Sequence, residues 1–347
     1  MMSKVLKNKE VNLNCSYLPP ELFAAAGFNS GRLWPEGIGN KGQGLLPYDF
    51  CPYSRAFLSM VAGSQDLSLF ANSCDAMRRV YDALAEEYAY LLEVPRVTTQ
   101  PGYFQYQLEK LLTYLGIDPE NRQFRESLRE NIKLYNYRRK LLKRLLENLI
   151  GGAGPSFSLL IEGVKYYYQQ QTVKIAGLVS DTRLKQDEEG YVSNHSDQRI
   201  PRVIISSSCL LDGRLVKLVE ESGLRIVGLD SCLGERSFNF QIELKEDNPL
   251  ESLARGYLNK PACPRTMEPK RRVAEVKRLI TSRDADGLIY FMPKFCDQAG
   301  YDFKFLKENA RENNFPLLLV EGEYQAGESG QLNTRITAFR ESLERIK

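Results

Sequence analysis

The chain of 347 residues has 43% hydrophobic content and can bury two or three cores, which predicts more than one domain. Its net charge of +3 is close to balanced, so charge gives no reason to expect a nucleic acid or a membrane as a partner. The polar start and the lack of an apolar run as long as a membrane span predict a cytoplasmic protein without a secretory leader.

The sequence contains one histidine, His195, which lies in a polar segment and is interpreted as a solvated loop residue. A single histidine argues against most hydrolytic triads and against histidine-rich zinc or iron sites. Catalysis would therefore depend on cysteine, carboxylate, lysine or tyrosine side chains, or on a bound cofactor.

Cys51 opens the second predicted helix, after a proline-led helix near residues 19–27 and a glycine-rich segment that is interpreted as a flexible loop. Pro52 occupies the first turn, where proline is favoured. The positive end of the helix and the nearby Arg55 favour a thiolate at Cys51. This thiol is a candidate metal ligand.

Cys74 follows a predicted strand. The run Leu67–Ala71 is apolar, ends near Cys74 and precedes an amphipathic helical pattern over Asp75–Leu84. Tyr90–Val94 predicts the next strand. Cysteines in the same position, just after a strand, recur in the second half of the chain.

The middle of the chain, from about residue 102 to residue 192, has apolar spacing close to the helical period. Helices are predicted over Tyr103–Leu115, Arg122–Ile150 and Phe157–Leu178, and residues 184–199 are interpreted as a polar linker. The basic run Arg138–Arg144 is interpreted as a solvated helix face. A docking surface for an acidic partner or a phosphate-bearing ligand is the alternative.

Three apolar runs in the second half each lead to a cysteine. The runs Val203–Ser207, Leu224–Leu229 and Gly287–Met292 are followed by Cys209, Cys232 and Cys296. Short runs rich in Ile, Val and Leu that alternate with helical patterns predict buried parallel strands. Because ligands bind outside the carboxyl ends of such strands, these thiols are expected to converge. A fourth thiol, Cys263, lies in a loop that flanking prolines restrict.

A helix over Asp302–Asn313, a strand over Pro316–Val320 and a helix over Gln331–Arg345 are predicted to close the chain. Ser329 and Gly330, at the start of the last helix, are a weak candidate for an anion site, and an ordinary helix start is an equally good interpretation.

The predicted fold class is α/β, with two Rossmann-like (flavodoxin-like) domains whose short parallel sheets face a central cleft. A helical segment lies between them. The predicted limits are residues 1–101 for the N-terminal domain, 102–199 for the helical region and linker, and 200–347 for the C-terminal domain.

The seven cysteines include no Cys-x-x-Cys motif, which argues against a zinc ribbon or a thioredoxin-like site. Buried cysteines often only pack in a core, but six of them, most at strand ends or helix starts, favour a metal site. Structural zinc usually draws its ligands in close pairs, whereas iron–sulfur clusters tolerate dispersed thiolates. Cys15 lies outside the pattern and is interpreted as a bystander.

Several motifs resemble the superfamily of 2-hydroxyacyl-CoA dehydratase D-components and benzoyl-CoA reductases, and the resemblance covers nearly the full chain. The matching motifs are Tyr17–Leu22 with Ala25–Gly27, Cys51–Arg55, Asn72–Asp75, Lys294–Asp297 and Ser329–Arg335. The resemblance implies a low-potential four-iron cluster (4Fe-4S) on Cys51, Cys74 and Cys296. It also implies an ATP-hydrolysing activator protein as electron donor, radical dehydration of a 2-hydroxyacyl-CoA thioester, and a heterodimer with a related subunit.

One branch of that superfamily, the homodimeric double-cubane-cluster proteins, is similar in having further cysteines in its second half. Cys209, Cys232 and Cys263 match those positions, so the resemblance implies a six-cysteine site for an eight-iron double cubane (8Fe-9S) that reduces small molecules. The chain departs from that branch at two points: no proline follows Cys209, and Arg265 replaces the second cysteine of a Cys-Pro-Cys loop.

Other functions stay open at this point. The chain could carry a cluster without catalysis, passing electrons or assisting an activator, or it could be a zinc-binding scaffold. No catalytic residue is assigned from the sequence. Tyr53, Ser54 and Glu323 are only neighbours of the expected cleft positions.

Overall fold

The computed structural model describes residues 10–35, 44–84, 88–152, 154–188, 200–210, 213–245, 247–323 and 330–346. His195, Ser329, most of the glycine-rich segment and the end of the predicted linker lie outside these ranges, so the interpretations given to them stay predictions. None of the helices in the described ranges is both long and apolar enough to cross a membrane.

The N-terminal part of the chain forms a sheet of four parallel strands in the order β2-β1-β3-β4. β3 is buried at every position, which explains why its sequence is an almost continuous apolar run. The elements are β1 (Glu10–Leu13), α1 (Pro20–Ala25), β2 (Asn29–Arg32), α2 (Pro52–Val61), β3 (Leu67–Ala71), α3 (Asp75–Leu84) and β4 (Ala89–Leu92).

Four helices follow: α4 (Pro101–Tyr114), α5 (Arg122–Ile150), α6 (Ser158–Tyr168) and α7 (Thr172–Glu188). The Asn121 side chain caps α5 by accepting a hydrogen bond from the Phe124 N–H at 3.1 Å. The single helix predicted over Phe157–Leu178 is wrong, because the chain turns between α6 and α7. Gln170 takes a left-handed conformation there, with φ of 61°, and ends the helical run.

The C-terminal part repeats the design of the first sheet, with four parallel strands in the order β6-β5-β7-β8. Its elements are β5 (Arg202–Ser207), α8 (Arg214–Glu221), β6 (Arg225–Asp230), a 3₁₀ turn (Glu235–Ser237), α9 (Pro249–Asn259), α10 (Pro269–Ser282), β7 (Gly287–Pro293), α11 (Asp297–Glu312), β8 (Leu317–Gly322) and α12 (Gly330–Ile346). The α/β fold class with two short parallel sheets is confirmed.

The two main hydrophobic cores both recruit helices from elsewhere in the chain. The core of the first sheet includes Leu253 and Tyr257 of α9, which also packs against α4 and α5. The core of the second sheet includes the end of α5 together with α6 and α7. Since α5 contributes residues to both cores, and α9 of the C-terminal part packs in the first, the domain limits given above stay a prediction.

The basic run on α5 is only partly solvated. Lys140, Lys143 and Arg144 are exposed, but Arg138 and Arg139 are buried. Arg138 donates from Nε to Thr172 Oγ1 at 2.8 Å, and Arg139 forms an ion pair with Glu21 of α1. The solvated-face interpretation is therefore wrong for these two arginines, which instead fix α5 against its neighbours.

We expect Glu21→Gln to destabilise the protein strongly. The Glu21 carboxylate is fully buried, pairs with Arg139 and accepts the Tyr257 hydroxyl at 2.7 Å. Removing one charge of a buried pair leaves the other uncompensated, at a cost of about 3–5 kcal/mol. Urea denaturation followed by circular dichroism measures the change.

The matched control for this prediction is Glu126→Gln, which breaks the exposed Arg122–Glu126 pair on α5. It should leave the unfolding midpoint almost unchanged, because exposed ion pairs contribute little. Equal effects of the two variants would contradict the assignment of Glu21 as a buried anchor.

Candidate metal centre

Each sheet reverses its strand order at its two central strands, and a cysteine follows each of these four strands. In the first sheet the reversal lies between β1 and β3, and in the second between β5 and β7. The carboxyl ends of such strands form the ligand crevice of doubly wound sheets. The four cysteines are Cys15 after β1, Cys74 after β3, Cys209 after β5 and Cys296 after β7.

Cys51 and Cys296 bring the two halves of the chain into contact at this crevice. Their thiols share a hydrogen bond, which together with burial raises the pKa of Cys51 well above its ordinary value. The same hydrogen bond lowers the pKa of Cys296 to about 7, and Ser208 Oγ lies 3.5 Å from the Cys296 sulfur. The pairing therefore makes Cys296 easier to deprotonate and Cys51 harder to deprotonate.

Cys51, Cys74 and Cys296 each lie at the N-terminus of a helix. Cys51 precedes α2, Cys74 precedes α3 and Cys296 precedes α11. Backbone N–H groups of Tyr53 and Ser54 donate to the Cys51 sulfur. Met77 and Ala299 do the same for Cys74 and Cys296.

An anionic iron–sulfur cluster fits this donor set. Helix N-termini carry partial positive charge, and N–H···S hydrogen bonds are among the features by which proteins stabilise such clusters. The three thiols come from both sheets, so a bound cluster would lie between them.

Cys74 lies within electrostatic reach of Cys296. Burial raises the pKa of its thiol to about 11, and the Cys296 charge adds to this effect. Gln298 of α11 donates to the Ser73 carbonyl and ties this loop to the second sheet. Within the described ranges, no three Cys, His, Asp or Glu side chains stand close enough to bind one metal ion.

Cys209 and Cys232 form a second thiol pair that also links the halves. Their shared hydrogen bond raises the pKa of Cys209 and lowers the pKa of Cys232 well below its ordinary value. Arg32, the last residue of β2, donates from Nη2 to the Cys232 sulfur at 3.0 Å and from Nη1 to its carbonyl at 2.7 Å. The guanidinium thus favours a thiolate at Cys232.

Cys263 and Cys15 occupy the same region without a close thiol partner. Burial raises the pKa of Cys263, and the Arg265 backbone N–H lies 3.4 Å from its sulfur. Cys15, interpreted above as a bystander, stands at the end of the central strand β1 and within electrostatic reach of Cys263.

The other residues named from the sequence have structural contacts. Tyr53 donates from its hydroxyl to the Asn14 carbonyl, and Ser54 Oγ donates to the Cys51 carbonyl at 2.7 Å. Glu323 pairs with Arg55 at 3.1 Å and so connects the end of β8 to α2. These contacts position the cleft, and they assign none of the three residues to catalysis.

The sequence matches the family described as "2-hydroxyglutaryl-CoA dehydratase, D-component" over residues 15–343. The chain belongs to this family. The matched span contains every strand of the two sheets except β1, and all seven cysteines. The chain is therefore a dehydratase-type enzyme component.

Named relatives come from both dehydratases and reductases. The (R)-phenyllactyl-CoA dehydratase beta subunit of Clostridium sporogenes is 24% identical over 94% of this chain and 90% of its own length. A benzoyl-CoA reductase subunit of Thauera aromatica is 22% identical over 94% of this chain and 89% of its own length. The (R)-2-hydroxyglutaryl-CoA dehydratase subunit beta of Acidaminococcus fermentans is 26% identical, over 41% of this chain and 38% of its own length.

Sequence reasoning missed three buried cations near the thiols: Arg32, Lys260 and Arg265. Lys260 donates from Nζ to the Ser16 carbonyl at 2.7 Å, and burial lowers its pKa to about 7. Arg265 donates to the Val94 and Pro95 carbonyls. In the sequence, Arg265 stood out only because it replaces the second cysteine of the Cys-Pro-Cys pattern. Nothing in the sequence indicated that Arg32 and Lys260 would be buried near the thiols.

Proposed function

We propose that this chain is the iron–sulfur subunit of a 2-hydroxyacyl-CoA dehydratase-type enzyme. The observation that carries the proposal is the contact of Cys51 with Cys296, thiols of opposite sheets that each receive N–H donors from a helix start. Membership in the D-component family supports the same assignment. The partners would be an ATP-dependent activator protein and a related second subunit, since two of the relatives are named as beta subunits.

In this proposal Cys51, Cys74 and Cys296 hold a four-iron cluster. When bound, such a cluster supplies single electrons at low potential. The chain's own residues hold the thiolates in place and set their surroundings. The helix N-termini at Cys51 and Cys296 provide N–H donors, and buried neighbours such as Ala56 and Ala299 limit the access of water.

A second candidate is a double-cubane reductase that acts on a small molecule as a homodimer. The Cys209–Cys232 pair favours it, because Cys209 packs against Ala56 of α2 and lies within electrostatic reach of Cys51. Six thiols would then share one eight-iron group. Arg265 does not replace the missing cysteine as a ligand, because its guanidinium is bound to backbone carbonyls.

Oxygen-free purification followed by iron, sulfide and zinc analysis, and then by activity assays, tests the proposal. We expect iron and acid-labile sulfide in about equal amounts, with at least about four irons per chain. With an activator protein, ATP and a related subunit, the loaded protein should dehydrate a 2-hydroxyacyl-CoA. Loaded protein that shows no ATP-dependent turnover with any acyl-CoA or small molecule would contradict an enzymatic role, and a zinc-containing colourless protein would contradict the cluster.

A further inference from the structure

We propose that a cavity between α5 and α10, at the edge of the second sheet opposite the thiols, is a binding site for a nucleoside phosphate. The cavity has a volume of about 480 Å³, and small-molecule sites typically have volumes of about 300–1,000 Å³. This inference does not depend on an iron–sulfur group. It goes beyond the proposed function by assigning a second ligand to the chain.

The place of the cavity in the fold separates it from the cysteines. Its wall includes Arg202, the first residue of β5, and Asp284, in the loop before β7. These positions are at the amino ends of the two central strands, whereas Cys209 and Cys296 follow the carboxyl ends of the same strands. Because doubly wound sheets bind their reacting ligands at the carboxyl ends, a ligand at the opposite edge would not be the reacting substrate.

Two cations in the wall of the cavity lack an anionic partner. Lys143 lies on α5 and Arg278 on α10, and neither forms an ion pair or a hydrogen bond with the residues that the structure describes. Glu147 follows Lys143 by one turn, but this order of lysine and glutamate is the weaker one in a helix, and the two do not pair. Both cations are exposed, so they are available to a phosphate group.

Two further cations in the wall are already held in place. Arg202 donates from Nε and Nη2 to the Arg283 carbonyl, at 3.2 and 2.7 Å. The Arg283 guanidinium donates to the Val227 carbonyl at 2.7 Å and pairs with the buried Glu235. These contacts fix the shape of the cavity before a ligand binds, which lowers the entropy lost on binding.

The rest of the wall suits an organic ligand better than a simple anion. Leu146, Ile150 and Leu279 provide an apolar surface, which a phosphate ion cannot use but a flat ring can. The exposed Glu147 carboxylate repels a phosphate but accepts hydrogen bonds from hydroxyls, and ribose hydroxyls are commonly bound by an acidic side chain. A nucleoside phosphate combines a phosphate, a ribose and a ring.

Equilibrium dialysis of the oxygen-free, full-length protein against ADP tests this site. Adenosine and inorganic phosphate are the comparison ligands. We expect one ADP per chain, bound at least about tenfold more tightly than either comparison ligand. The reason is that adenosine lacks the charged contacts and inorganic phosphate lacks the apolar and ribose contacts.

Lys143→Gln and Arg278→Gln should each weaken ADP binding by about tenfold, because each removes a charged hydrogen-bond donor from the wall. Lys140→Gln is the matched control. Lys140 is exposed on α5 one turn before Lys143 and carries the same charge, but it does not line the cavity. This variant should bind ADP like the wild type. Circular dichroism checks that all three variants are folded.

Glu147→Ala separates a nucleoside phosphate from a simple anion. We expect this variant to bind inorganic phosphate more tightly, because a repelling charge is gone. It should bind ADP more weakly, because the ribose loses its acceptor. Tighter binding of both ligands would contradict a nucleoside phosphate as the occupant.

Two other results would overturn the inference. One is the absence of bound ADP at about 1 mM. The other is equal weakening by Lys140→Gln and Lys143→Gln, since ADP would then be attracted to the basic run of α5 in general. Neither result bears on the iron–sulfur function, which the iron and sulfide analysis tests separately.

Discussion

Cys51→Ala should remove the proposed iron–sulfur group and abolish ATP-dependent turnover. Cys51 contacts Cys296 across the two sheets, and its sulfur receives N–H donors from the start of α2. Without this thiolate, the proposed cluster loses the ligand that stands at the start of α2. We expect the loss of about four irons per chain, measured by iron and sulfide analysis after oxygen-free purification.

Ser54→Ala is the matched control for this prediction. Ser54 lies on the same helix, and its hydroxyl donates to the Cys51 carbonyl, whereas its backbone N–H faces the sulfur. Alanine keeps that N–H, so the variant should retain its iron. Iron content at the wild-type level in Cys51→Ala would contradict the assignment of Cys51 as a ligand.

Gly234→Ala should strongly destabilise the second sheet. A Cβ atom at Gly234 would lie 2.2 Å from the Leu229 carbonyl oxygen and 2.8 Å from Leu229 Cγ. Backbone has to move to relieve that clash, at a cost of about 3 kcal/mol. The same movement would displace the turn that carries Cys232. Urea denaturation of the apo protein measures the loss of stability.

The control for the clash is Gly300→Ala on α11. A Cβ atom there meets nothing within 4 Å, and alanine is the better helix former. We expect this variant to be unchanged or slightly more stable than the wild type. Similar destabilisation by both substitutions would show that the turn after β6 is not as tightly packed as the structure has it.

The second sheet could be predicted from the sequence because its strands are buried on both faces. β5, β6 and β7 are continuous apolar runs, each bounded by polar or helical segments, and the predicted strands match them to within one or two residues. The cysteines at their ends followed directly from this pattern.

The strands β1 and β2 were missed for a physical reason. Each has four residues, and β2 has the sequence Asn-Ser-Gly-Arg, which has no apolar period. These strands are defined by parallel pairing with distant partners, such as Leu13 with Leu69, and short-range patterns carry no trace of such pairing. Without β1, Cys15 had no strand to follow and was interpreted as a bystander.

The buried cations were out of reach for a similar reason. Arg32 and Lys260 are isolated polar residues in the sequence, and only the tertiary fold places them at Cys232 and beside Cys15. The grouping of Cys51 with Cys296 came from the family resemblance and stays a prediction, whereas the place of Cys296 at a helix start after the central strand β7 is a local feature that the sequence encodes.

Anomalous diffraction at the iron absorption edge, from crystals grown without oxygen, tests most directly whether remote thiols of the two sheets share a metal group. We predict an iron peak bounded by the sulfurs of Cys51, Cys74 and Cys296 at the starts of α2, α3 and α11. Iron bound elsewhere, or a cleft in which Cys51 and Cys296 remain in contact with no iron between the sheets in a loaded and active protein, would contradict it.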